Sequence, residues 1–184
     1  KRISSNPLGL LGLCLVTFMV VSALGASIFA PYDPIQLNIM ERLQGPSANH
    51  LLGTDQLGRD LFSRVLFGGQ VALKVAFLTI GLALIVGIVL GLIAGYGPAW
   101  LDNSIMLLFD TIRSVPTIML ALAAVAVVGP SITTVIFVIA VSSIPNYGRI
   151  VRTQTLTIKS KDFVNAERLM GASLLRILSI HLLP

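Results

Sequence analysis

The chain alternates long apolar runs with short polar segments, and the runs have bilayer length. Leu8–Ala30 holds 23 residues without a charge, enough at 1.5 Å per residue to cross a hydrocarbon core of about 30 Å. Val75–Tyr96 supplies 22 more. Ser114–Gly148 is uncharged for 35 residues and is divided by Gly129-Pro130. Its first part, Ser114–Val128, has 15 residues, about 22 Å of helix and too short to span. The third span is therefore expected to begin near Ile105, carrying Asp110 and Arg113 into the membrane, with Pro116 kinking it just beyond. A fourth span is expected over Ser131–Tyr147, distorted by Ile144-Pro145-Asn146. The pattern predicts an all-α polytopic membrane protein.

Charge orients these spans. Lys1 and Arg2 precede the first, and the fourth exits into Arg149, Arg152, Lys159, Lys161, Arg168 and Arg176 against only Asp162 and Glu167. By the positive-inside rule the N-terminus and residues 148–184 are cytoplasmic. The chain then divides into 1–30, a cytoplasmic start with the first span, and 31–74, an external segment. Residues 75–147 hold spans two to four, and 148–184 form a cytoplasmic loop. Composition agrees, with 55% hydrophobic and 11% charged residues and a mean hydropathy of +0.90, where soluble domains carry about 25% charged residues. The net charge of +5 does not suggest nucleic acid, because its bases lie between apolar runs and not on one solvated face. Cys14 sits alone in an apolar run, which leaves no disulfide framework or cysteine metal site. Leu8–Ala30 is too long for a signal-peptide core, and Ala30-Pro31 is a poor cleavage site.

Four stretches carry candidate chemistry. In His50-Leu51-Leu52-Gly53-Thr54-Asp55-Gln56-Leu57-Gly58-Arg59-Asp60, one histidine with scattered carboxylates is weak evidence for a metal. Asp60 suits capping a helix that starts near Leu61, with Gly53 and Gly58 supplying turns. Gly87, Gly91 and Gly95 repeat every four residues, a ridge on which another helix can pack closely. Asp110 and Arg113, three apart on one helix face, form either an intramembrane ion pair or part of a pathway. The last stretch is amphipathic. Asp162 is a candidate N-cap, Phe163, Ala166, Leu169 and Met170 share a face, and Gly171 is a left-handed elbow before a second helix capped by Ser173. Such a helix–elbow–helix is a plug for a partner protein or a lid on the membrane surface.

Two of these stretches carry a family resemblance that extends over the whole chain. Residues 161–184 resemble the EAA loop of binding-protein-dependent ABC importer permeases, with Asn165-Ala166-Glu167 at the triplet and Gly171 and Leu183-Pro184 in place. Asn165 replaces the leading acid and Glu167 the second alanine. Residues 50–60 resemble the His-x-Leu-Gly-Thr-Asp-x-x-Gly-Arg-Asp stretch of the dipeptide/oligopeptide/nickel branch, second-permease type, through His50, Gly53, Thr54, Asp55, Gly58, Arg59 and Asp60. Pro31-Tyr32-Asp33-Pro34, Gly91–Tyr96 and Gly129-Pro130 also fall where that branch has them. Leu107 stands where the family often has a base.

The resemblance implies a type I ABC importer transmembrane domain with four spans of an expected six, in the bacterial or archaeal inner membrane. It implies a second homologous permease beside it, surrounding lipid, and an extracytoplasmic binding protein that delivers the cargo. Two ATPase subunits would dock on Phe163, Asn165, Ala166, Glu167, Arg168, Met170 and Gly171 and would hold the ATP and magnesium. The chain has no Gly-x-x-x-x-Gly-Lys-Ser/Thr loop and is not read as an enzyme or as binding a cofactor. Di- or oligopeptides are the expected cargo, with nickel, metal chelates or glutathione as the alternative. Outside the class, an ion channel would want a repeated selectivity element, which is absent from the sequence, and a structural anchor would not need the elbow.

Overall fold

The computed structural model describes residues 7–171, and they are helical apart from loops and one isolated bridge. The helices are α1 (Pro7–Leu24), α2 (Ala26–Phe29), α3 (Leu61–Tyr96), α4 (Ala99–Ser114), α5 (Thr117–Val128), α6 (Ile132–Lys159) and α7 (Asp162–Leu169). α1, α3 and α6 are each long and apolar enough to cross a membrane, and α4 with α5 makes a fourth span if its bend is counted as a break within one crossing. The chain falls into two compact units, residues 1–75 and 76–184.

In the first unit α1 ends at Gly25, and α2 adds one short turn before Pro31. α1 lies against the start of α3 at a small-residue contact, where a Cβ on Gly69 would come 3.2 Å from the Ala23 Cβ. The loop between α2 and α3 contains a short 3-10 turn over Ile39–Glu41. α3 begins at Leu61, as the Asp60 cap requires, well before the apolar run at Val75. Its 36 residues correspond to about 54 Å of helix.

The second unit is shaped by prolines. Pro98 starts α4. Pro116 does more than kink. Its ring pushes Val115 out of the helical region, to φ −94° and ψ 124°, so α4 stops and α5 restarts at an angle of 83°. Gly129, at φ 96°, ends α5, and the Ser131 hydroxyl caps α6 by accepting from the Thr134 amide at 3.0 Å. Pro145, by contrast, lies buried within α6 without ending it. It lacks the amide that would ordinarily donate to the Val141 carbonyl, yet the helix continues to Lys159. The expected fourth span, Ser131–Tyr147, is thus the first part of a 28-residue helix, and the loop expected from 148 begins only at Ser160.

The glycine ridge brings α3 and α6 into backbone contact. A Cβ on Gly87 would meet Tyr147 Cβ at 2.8 Å, one on Gly91 the Gly148 carbonyl oxygen at 2.5 Å, and one on Gly95 Thr155 Cβ at 2.7 Å. The neighbour is therefore a helix of the same chain. Gly148 faces two ways, because its missing side chain also leaves room for the Phe109 ring of α4, 2.4 Å from where a Cβ would stand. Phe109 is fully buried and clusters with Ala94 and Ile105, flanked by Leu90, Leu101, Met106 and Ile144.

This geometry separates glycines that are needed from those that are not. Gly81 has nothing within 4 Å of its Cβ position, whereas Gly91 has backbone. Gly81→Ala should raise thermal stability in detergent slightly, by about 0.5–1 kcal/mol from relief of helix-glycine entropy. Gly91→Ala should lower it by about 1–3 kcal/mol, the cost of overpacking, and Gly91→Leu by more. Equal effects at both positions would show that the close approach is not needed.

Candidate functional site

The His50–Asp60 stretch folds into a loop whose polar groups satisfy one another. Gly53 and Gly58 have φ of 78° and 73°, the left-handed region that favours glycine. Gly58 is also pressed against backbone, since a Cβ there would come 1.7 Å from the Asn38 oxygen. Thr54 and Asp60 form the isolated antiparallel bridge. Thr54 donates its hydroxyl to the Glu41 carbonyl, and its hydroxyl oxygen accepts from the Gln44 amide at 2.9 Å. The Asp55 carboxylate accepts from the Leu57 amide at 2.8 Å and the Arg59 amide at 3.0 Å, then pairs with Arg59 and Arg64. It is thus committed to two guanidiniums and does not join His50 and Asp60 in a shared ligand set. Among the described residues no cluster of three potential metal ligands occurs.

Asp60 joins this loop to α3. One carboxylate oxygen accepts from the Ser63 amide at 2.7 Å, capping the helix, while the other takes a hydrogen bond from His50 Nδ1 at 2.9 Å. His50 is buried, with Nε2 3.4 Å from Glu41 and the Tyr32 ring 4.9 Å away. The hydrogen bond to Asp60 raises the His50 pKa above 6.5, against the opposing effect of burial and with help from Glu41. Burial would push the Asp60 carboxyl up, but the Ser63 amide and hydroxyl and the His50 ring hold it below 3.8.

In the second unit the charged residues of α4 meet α6. Asp110 pairs with Arg149, and Arg113 donates to the Asn146 side-chain oxygen. The expected pairing of Asp110 with Arg113 along one helix is therefore replaced by two contacts across helices, to Arg149 and Asn146 of α6. Asp102, in the first turn of α4, binds Arg152 through Nε and Nη2, each 2.5 Å from a carboxylate oxygen. Lys159 Nζ donates to the Tyr96 carbonyl at 2.9 Å and lies 3.4 Å from that of Gly95, at the C-terminus of α3. The residues passed over in the sequence are Asp102, Arg149, Arg152 and Lys159. Only Asp110/Arg113 and their partners Arg149/Asn146 share a spacing of three residues; Asp102, Arg152 and Lys159 carried no such signal.

α7 follows α6 after only Ser160 and Lys161. Asp162 is its first residue rather than its cap. Val164 is buried, Phe163 is about half exposed, and Leu169 and Met170 are largely exposed. Glu167 is half-buried. Gly171 has φ 83°, and among the described residues no atom lies within 4 Å of its Cβ position. The side chains of Asn165, Ala166 and Arg168, and the segment containing Ser173, Arg176 and Leu183-Pro184, lie outside the described residues.

Residues 87–184 match the binding-protein-dependent transport system inner membrane component family, and residues 1–46 match the N-terminal transmembrane domain of oligopeptide transport permease C. The chain belongs to this permease family. Among its relatives, a dipeptide transport system permease protein of Alkalihalophilus pseudofirmus is 38% identical over 184 residues, covering 100% of this chain and 60% of the relative. A di/tripeptide transport system permease protein of Pseudomonas aeruginosa is 39% identical over 179 residues, covering 94% and 59%. A glutathione transport system permease protein of Escherichia coli O157:H7 is 39% identical over 185 residues, covering 100% and 61%. The chain thus spans about three fifths of the length of these relatives. It is a multi-pass inner-membrane protein of the dipeptide/oligopeptide/nickel branch of ABC permeases.

The loop of this permease chain should respond to pH through His50. Its folded pKa lies above 6.5, so its stabilising contribution is complete below that value and fades as pH rises through the folded pKa. Asp60, with its pKa below 3.8, contributes above that value and loses its effect only as pH falls through its depressed pKa. Hydrogen-exchange protection of residues 50–61, corrected for intrinsic exchange, should therefore be highest between about pH 4 and 6.5 and decline as pH rises further, through the raised pKa of His50. His50→Gln should flatten that decline, and an unchanged profile in this variant would remove His50 as its origin.

Proposed function

We propose that this chain is the membrane part of a permease subunit in an ATP-driven importer, conducting small peptides delivered by an extracytoplasmic binding protein. The names of its relatives support a peptide cargo, since dipeptides, di- and tripeptides and glutathione, a γ-linked tripeptide, are all small molecules with amide bonds, an amine and a carboxylate. In this reading a second homologous permease completes the path. Two ATPase subunits hold ATP and magnesium and dock on the cytoplasmic side, where the N-terminus and the segment after α6 lie. Residues 31–60 then face the binding protein.

The observation that carries the reading is α7. A helix of eight residues directly after a membrane helix presents Leu169 and Met170, exposed by 78% or more, and ends at a left-handed glycine. Exposed apolar side chains rimmed by Lys161, Asp162 and Glu167 suit a protein groove. Closure of an ATPase dimer around such a helix turns into rigid-body motion of the spans attached to it. A lid on anionic lipid is the competing use of the same face.

Substitution at Gly171 separates the two. At φ 83°, Gly171→Val introduces backbone strain, about 1–2 kcal/mol for a side chain in the left-handed region, and more for a β-branched one. In the assembled transporter this variant should keep binding-protein association but lose most peptide uptake per ATP hydrolysed. Met170→Cys should cross-link to an ATPase subunit. Normal coupled uptake by Gly171→Val, or cross-linking of Met170→Cys to lipid alone, would favour the surface lid.

A further inference from the structure

The end of α6 that leads into α7 is fastened to the corner where α3 gives way to α4, and the fastening is polar, bidentate and close to the proposed docking helix. Arg152 grips Asp102 through two hydrogen bonds of 2.5 Å, with both side chains largely buried at 28% and 17% exposure. A guanidinium fork on a carboxylate fixes orientation as well as distance. One turn further on, Thr155 is buried against Gly95, whose Cβ position is also 3.0 Å from the Arg152 carbonyl oxygen. Two turns beyond Arg152, Lys159 donates to the last carbonyls of α3 and lies 5.1 Å from the Tyr96 ring centroid. Those carbonyls have no amide partners within α3, and a cation there also meets the negative end of the helix dipole. The corner itself is tight, because a Cβ on Gly97 would stand 2.6 Å from the Ile93 oxygen.

We propose that Arg152, Asp102 and Lys159 form a strut that passes the displacement of α7 into the α3–α4 corner. This rests on the reading that α7 docks an ATPase subunit. Only Ser160 and Lys161 separate α6 from α7, and Val164 N–H is tied back to the Lys161 carbonyl at 3.1 Å. A push on α7 therefore reaches the end of α6 first. The glycine ridge packs α6 against α3 past Pro145, and the fastening adds oriented hydrogen bonds that tie the α3–α4 corner to the same end of α6. With it, α3, α4 and α6 move as one body, and the motion reaches α4, whose Asp110 and Arg113 meet α6 further along. The three residues are positioning residues for coupling, since none is placed against the cargo.

The test uses the full-length permease in its assembled complex in proteoliposomes, with Arg152→Lys, Arg152→Gln, Asp102→Asn and Lys159→Met. Cargo taken up per ATP hydrolysed should fall about five-fold or more in Arg152→Gln and Asp102→Asn, the scale of an ordinary coupling between two sites. Arg152→Lys, which keeps the charge and loses the fork, should lie between these and the parent. ATPase docking, read by the Met170→Cys cross-link, should persist in all of them. An unchanged uptake-to-hydrolysis ratio would overturn the strut while leaving the docking reading intact. Loss of assembly in Arg152→Lys would overturn it in favour of a purely structural pair. Absence of the Met170→Cys cross-link in the otherwise unsubstituted permease would overturn the docking reading, and with it the strut.

Discussion

The second unit depends on one close approach, the backbone contact of α3 with α6 along Gly87, Gly91 and Gly95. Inside a membrane, apolar side chains gain nothing by leaving lipid for protein, so helices associate through packing and polar contacts. Glycine is what permits that packing here, because at Gly91 even a methyl group would meet a carbonyl oxygen at 2.5 Å. Gly148 extends the same condition to α4, making room for the Phe109 ring between two helices. A single bulky residue at this crossing would separate three helices at once. The polar contacts that run from Arg113–Asn146 to Lys159–Tyr96 are within reach only because the glycines have already brought the helices together.

The first unit solves a different problem. Its loop must connect α2 to α3 with its large apolar residues, Ile35, Ile39, Met40 and Leu43 among them, left exposed. It does so by local saturation. Asp55 consumes two backbone amides and two guanidiniums, and Asp60 consumes a helix amide and an imidazole. Two left-handed glycines allow the chain to lie against its own backbone. Each of these residue types thus has a structural partner at its position in the loop.

The polar contacts between α4 and α6 differ from isolated surface ion pairs, which contribute about 0–1 kcal/mol each. Their consequence is geometric. Asp102–Arg152 is bidentate and largely buried, and Lys159 serves carbonyls that lack helical donors, so both hold orientation more than they add stability. Coupled motion requires that kind of contact, since a stiff connection transmits a tilt and a loose one absorbs it.

The sequence alone pointed to the apolar helices α1, α3 and α6, because bilayer thickness imposes a length that uncharged runs must meet, but not to their full extents or to the break between α4 and α5. It also determined the Asp60 start of α3, the turn glycines at 53 and 58, the left-handed Gly171 and the use of the glycine ridge for packing. Each follows from local chemistry that only certain residues satisfy. The tertiary structure decided what those elements meet. Pro116 and Pro145 look alike in a sequence, but Val115 is free to become extended where the chain turns, whereas Pro145 is buried between helices and α6 continues past it. Asp110 and Arg113 have the spacing of an intrahelical pair, yet each finds a partner on α6, 39 and 33 residues away in the chain. Asp102 and Lys159 carried no motif at all. Their roles arise from the end of α6 reaching the α3–α4 corner, a distance set by helix length and crossing rather than by any neighbouring residue.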